Sequence, residues 1–156
     1  VSNFTDVSEL NHLIGNTQGN PSNPDWDALA SQLELIKEEF QELIHAIEQH
    51  DFTEVRDAVA DILVTTYGLA YRAGVNADAD MDEVHASNMS KFCSTREEAI
   101  HTAHKYEKLG VMCSYRQPVP GITAVVSASD QTGKDGKFYP EGKLLKSINF
   151  KEPKLL

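Results

Sequence analysis

The sequence predicts a mainly α-helical protein, an antiparallel helical bundle with a small β appendage at its carboxyl end. Three observations lead there. Apolar residues recur at three- and four-residue spacing through most of residues 1–110. A break of only a few residues joins the two longest of these runs, which forces them to fold back on each other. From Val111 the pattern shortens into β-rich runs punctuated by Pro and Gly. The expected organisation is one domain, with residues 1–110 as the helical bundle and 111–156 as a β-hairpin and tail packed on it. With 156 residues, 40% of them hydrophobic, the chain can bury one sizeable core and is short for two.

In order, Phe4, Val7, Leu10, Leu13 and Ile14 give a first helix that stops at Gly15. A polar loop, 16–23, follows. Pro24 opens a second helix to about Gln49, with an apolar series at Leu29, Leu33, Ile36, Phe40, Leu43, Ile44 and Ile47. Thr53 is placed to cap a third, carrying Val55, Val59, Ile62, Leu63 and Ala70 as far as Gly74. A fourth helix is expected over Asp80–Lys91. A fifth runs from a Ser94 or Thr95 cap to Leu109, with Glu97 and Glu98 in its first turn and Gly110 as its stop. Strands are expected over Val111–Tyr115 and Ile122–Ser127, with Lys143–Phe150 as a last short one before Pro153.

Composition excludes several classes. A net charge of −10 is opposite to what a protein that holds polymeric nucleic acid needs. No apolar run is long enough to span a bilayer, and Val1 to Asp6 lacks the basic-then-apolar order of a signal peptide, so a cytoplasmic protein without membrane partners is expected. Cys93 and Cys113 have neither a second Cys nor a His at ligand spacing, and two free thiols are expected. The charge is unevenly spread. Residues 1–83 hold 17 Asp and Glu against 3 Lys and Arg, residues 84–156 hold 7 against 11. Such a division suits a polyanionic small ligand bridged by metal ions to carboxylates and neutralised by lysines, and equally suits plain acidic helices.

On a helical wheel centred on Phe40, Glu38, Glu39 and Glu42 lie roughly opposite the apolar stripe, at about 160°, −100° and −160°. Centred on Val59, Glu54, Asp57 and Asp61 do the same on the third helix. Alone, each set reads as a solvated face. Leu35 and Val64 interrupt the acids with apolar side chains, which suggests that these faces are covered too. Folding the hairpin about residues 50 and 51 brings Glu39 and Glu42 to the level of Asp57 and Asp61. Carboxylates converging at one height suit hard divalent cations such as Mg²⁺ or Mn²⁺.

These residues resemble the all-α nucleoside triphosphate pyrophosphohydrolases, the superfamily of MazG, dimeric dUTPases and phosphoribosyl-ATP pyrophosphohydrolase. Glu39 and Glu42 match its Glu-x-x-Glu motif. The segment from Asp57 to Gly68, with Asp61 as final acid, is similar to the phosphoribosyl-ATP pyrophosphohydrolase-like branch. The sequence departs from the usual Glu-x-x-Asp in that register, since Ala58 stands at the Glu position. Either Asp57 substitutes for that Glu, or the literal pair Glu54 and Asp57 serves instead. Asp82–Phe92 is similar to the segment that approaches the nucleotide in these proteins, and Gly142–Phe150 with Pro153 is similar to their closing segment.

The resemblance implies cleavage between the α and β phosphates of a nucleoside triphosphate, releasing a monophosphate and pyrophosphate, in a homodimer or homotetramer. Glu38, Glu39, Glu42, Asp57 and Asp61 are then the candidate ligands of Mg²⁺ or Mn²⁺, with Glu38, Glu39 and Glu42 as the candidate catalytic residues. Asn88, Lys91 and Lys146 are the candidates for binding the nucleotide and its phosphates. Two rivals stay open: a non-catalytic acidic interaction protein, and a phosphoribosyl-ATP pyrophosphohydrolase of histidine synthesis. His101 and His104 read as surface residues, 130–137 as a tight turn, and Trp26, Tyr67 and Tyr71 as core.

Overall fold

The computed structural model describes residues 1–155, and they form two compact units that meet at Asp80 and Met81. Five helices and two small antiparallel hairpins make the protein mainly α. The first unit holds α1 (Asn3–Leu13), α2 (Trp26–Glu48) and α3 (Phe52–Ala73). Each helix start satisfies its orphan amides from a side chain. Ser2 and Thr5 form a reciprocal capping box on α1. Asp25 accepts from the Ala28 amide on α2. On α3 the cap is Asp51, accepting from the amides of Thr53 and Glu54, so the helix opens before the expected Thr53. His50 makes this short connection possible by adopting a left-handed φ of 55°. Gly74, at φ 74°, closes α3 as expected.

α2 and α3 form the expected antiparallel hairpin, but they meet along one flank of the marked apolar stripe: Ile36 and Leu43 belong to both, while Leu33, Phe40 and Ile47 stay outside. Gln32, Ile36, Glu39, Leu43 and Ala46, spaced four, three, four and three, line that flank of α2, and Leu29 and Ile44 of the apolar series are half-buried as well. Opposite them α3 buries Ala58 and Gly68 and half-buries Asp61 and Thr65. Gln32 Nε2 donates to the Thr65 carbonyl at 2.9 Å across this seam. Small side chains let the helices approach closely, and the large apolar ones are left outside: Phe40 is 53% exposed, Ile47 56%, Val59 46% and Leu63 48%. Leu35 is exposed as well. Trp26, expected in the core, stands at the surface, whereas Tyr71 is buried and Tyr67 packs against Phe4 with ring centroids 6.0 Å apart.

α4 (Ala77–Met89) starts three residues earlier than expected, because the Asn76 side chain caps it by accepting from the amides of Asp78 and Ala79. In the second unit α5 (Arg96–Glu107), capped by Thr95, packs Ala99, Ala103 and Tyr106 into a core shared with Cys93, Val111, Val125, Tyr139 and Leu145. Its apolar face is thus spent on the β segment. β1 (Cys113–Val119) and β2 (Ile122–Ser127) pair antiparallel around Gly121, β1 running past the expected Tyr115. β3 (Gln131–Thr132) and β4 (Phe138–Tyr139) flank the tight turn expected over 130–137. Asp135 accepts from the Tyr139 hydroxyl at 2.6 Å, which pushes the phenol up to about 12. Lys143–Phe150 does not form the expected strand. Contact with β2 stops at the Leu144 bridge, where the Ser127 amide donates to the Lys143 carbonyl and the Leu145 amide to the Val125 carbonyl; beyond it the amides go elsewhere, Lys146 to the Tyr106 hydroxyl and Ser147 to the Lys91 carbonyl. Cys93 and Cys113 are free thiols, and among the described residues no helix is long and apolar enough to cross a membrane.

Candidate active site

The spacing of α2 sends its acids to different surroundings. Glu39 belongs to the seam series and is half-buried there, while Glu38 and Glu42 lie to either side of it and are exposed. The carboxyl of Glu39 is held above its ordinary range, first by burial and then by the charges of Glu42, Asp61 and Glu38. Asp61 is therefore the α3 acid that acts on Glu39. Asp57 and Glu54 are exposed and are not among the causes of that shift; Asp57 lines a recess of about 460 Å³ with Thr53, Arg56 and Ala60, and Glu54 stands between that recess and the cleft at Glu42. Ala58, one turn before Asp61, is 3% exposed and fills the seam with a methyl group.

Beside these acids a cleft of about 530 Å³ opens between the end of α2 and the start of α3. Glu42 lines it with His45, Gln49, Asp51 and Glu54. The sequence reading passed over His45 and Gln49, although their i+3 and i+7 spacing from Glu42 places them on its face. The first unit thus gathers Glu39, Glu42 and Asp61, with Glu38 adjoining. Among the described residues no three His, Cys, Asp or Glu side chains close into a cage around an ion as they stand. The donor chemistry fits a hard divalent cation all the same. Every group is a carboxylate, and a half-buried glutamate surrounded by like charge is the environment that a cation relieves.

The remaining candidates lie in the second unit. Lys91 Nζ donates to Asn88 Oδ1 at 2.8 Å, so these two act as one polar pair at the end of α4. Lys146 holds its ammonium 4.3 Å from the Phe150 ring centre and 3.8 Å from Glu152. The Ser147 amide donates to the Lys91 carbonyl, which brings the two lysine-bearing segments alongside each other. His101 and His104 are exposed, as expected.

A protein family model described as phosphoribosyl-ATP pyrophosphohydrolase matches residues 7–88, just over half of the chain. The match takes in all five candidate metal-ligating acids and Asn88, and ends before Lys91 and Lys146. An uncharacterized protein of Acanthamoeba polyphaga mimivirus is 29% identical over 126 residues, covering 78% of this chain. The chain spans about half, 46%, of the length of that curated relative.

Proposed function

The chain belongs to the phosphoribosyl-ATP pyrophosphohydrolase family, within the all-α nucleoside triphosphate pyrophosphohydrolase superfamily, and we propose that it hydrolyses a nucleoside triphosphate to the monophosphate and pyrophosphate. The observation that carries this reading is Glu39, half-buried in the α2–α3 seam under the charges of Glu42 and Asp61. Uncompensated acids at such a position cost stability, and a site that binds cations gains by them.

In this reading Glu39, Glu42 and Asp61 supply the oxygen ligands, with Glu38 and Asp57 at the edge. Mg²⁺ or Mn²⁺, when bound, neutralises phosphate charge and polarises the phosphoryl oxygens. Glu38, exposed beside the seam, accepts the proton of the attacking water as the new phosphorus–oxygen bond forms. The bond from the α phosphorus to its bridging oxygen breaks, and pyrophosphate leaves with the electron pair. Asn88, Lys91 and Lys146, carried on the second unit, have the chemistry to bind nucleotide and phosphate groups. The active form is a homodimer or homotetramer, supported by the exposed apolar stripe of α2 and α3. Two free thiols suit a reducing compartment, the cytoplasm.

Pyrophosphate release from canonical and modified nucleoside triphosphates with Mg²⁺ or Mn²⁺ tests this. Wild type is expected to release pyrophosphate, and the Glu39→Gln, Glu42→Gln double variant to fall by at least about a hundredfold. No release across the panel, with no rise in Tm on adding metal, supports the interaction-protein reading instead. Phosphoribosyl-ATP belongs in the panel because the matching family is named for it. Exclusive cleavage of that compound assigns the chain to histidine synthesis.

A further inference from the structure

We propose that the first unit carries a second ligand site, a polar pocket at Arg72 that takes a small oxyanion, distinct from the carboxylate site. Arg72 is one of only three basic residues before residue 81, where 15 acids are present, yet none of them neutralises it. Among the described residues the ion pairs are Lys37 with Glu34 and Lys146 with Glu152. A guanidinium has five N–H groups. Two sides of this one are used, Nη2 donating to Asn16 Oδ1 at 2.7 Å and Nη1 to the Ala28 carbonyl at 3.3 Å. Nε is buried with no acceptor, the one side-chain polar atom in that condition among the described residues, and the donors left for a ligand are the second N–H of Nη1 and of Nη2.

The unserved cation stands at the wall of a cavity of about 430 Å³ built from the polar loop before α2. Thr17, Gln18, Asn20 and Asn23 line it, and Ala28 is its largest apolar side chain. A cavity meant only to be filled would hold apolar groups. The amino end of α2 opens beside it, and Asp25 on its wall is already engaged as the cap of that helix. The loop is held rigidly. The Gly19 amide donates to the Tyr71 carbonyl, and a methyl on Gly19 would lie 1.8 Å from the Arg72 carbonyl oxygen. Asn16 is aimed at Arg72 by its own bond to Asn11 on α1. A planar guanidinium that no carboxylate bonds, among amides, with the one acid on the wall, Asp25, turned to the α2 amides, matches a carboxylate or phosphate group. Along α3, eleven residues separate Arg72 from Asp61, a rise of about 16 Å.

Calorimetric titration of the full chain with inorganic phosphate, and in parallel with malonate, tests the site in EDTA so that no metal contributes. One saturable site per chain is expected for at least one anion, and the tighter of the two names the group recognised. Arg72→Gln and Gln18→Glu should each weaken it about tenfold or more. Gln18 is exposed, so Gln18→Glu puts a repelling charge at the rim without disturbing the fold, and decides the matter if Arg72→Gln does not fold. Binding should persist in Glu39→Gln, Glu42→Gln, whatever that variant does to turnover. Absence of saturable binding, equal binding by Gln18→Glu, or loss in the glutamate variant overturns the proposal.

Discussion

Glu39, a ligand in the proposed reaction, stands where its charge costs stability. Its carboxyl is raised above 4.5 by burial and by Glu42, Asp61 and Glu38, so the fold favours the neutral form. That contribution is fully present below the ordinary carboxylate pKa and is lost as pH rises through the raised one. Glu39→Gln should therefore raise Tm by about 2 °C at pH 7 and leave it unchanged at a pH below about 3.5, while turnover disappears. Thermal melts at both pH values check this; an equal gain at both would mean that the neighbouring charges play no part. Two glycines of one loop make a second contrast. Gly15, at φ 86°, has nothing near its missing Cβ, and Gly15→Ala should cost about 1 kcal/mol of left-handed strain. Gly19→Ala, driven against backbone, should cost about 3 kcal/mol, as urea midpoints would show.

At the scale of elements, the α2–α3 seam is assembled from small and polar residues. Ala46, Ala58 and Gly68 allow the close approach, and Gln32 ties it to Thr65. A Cβ on Gly68 would meet Gln32 Nε2 at 2.7 Å. Ala58→Leu should force the helices apart and cost about 1–3 kcal/mol, whereas Val59→Ala, half exposed next door, should cost less than about 1 kcal/mol. Equilibrium urea unfolding separates the two. Equal costs would mean that Val59, not Ala58, faces a partner inside the chain. The hairpin itself and the height of its acids were legible in the spacing, since a short connection leaves one way to fold back. Which flank of each helix turns inward was not. The wheel ranks side chains by polarity, whereas contact between two helices is ruled by how near their backbones come. α5 teaches the same at its own level, because its alanines settle in a core with Val111, Val125, Tyr139 and Leu145.

Across the molecule, charge and apolar surface are both unequal. The first unit carries 15 acids against 3 bases, and the second 9 against 11. On the first, Leu33, Phe40, Ile47, Phe52, Val59 and Leu63 are all exposed. Exposed large apolar residues on one helical pair are what the proposed oligomer would cover, with a second copy offering the same surface. Sedimentation of the wild type should give a dimer or tetramer, and Phe40→Asp together with Val59→Asp a monomer that keeps its helical content. A monomeric wild type at micromolar concentration would remove the oligomer from the proposed function.

The sequence by itself determined the helical class, the order of the five helices and the β1–β2 hairpin after them, and the hairpin of α2 and α3 with Glu39 and Glu42 facing α3 acids. Each follows from local periodicity, caps and a connection too short for another route. Only the tertiary structure decided that Asp61 rather than Asp57 acts on Glu39, that Leu33, Phe40 and Ile47 stay outside, and that Arg72 is left without a counterion. These depend on the rotation of each helix about its own axis and on where a loop returns. Both are set by close contacts between residues far apart in the chain, which no local pattern encodes.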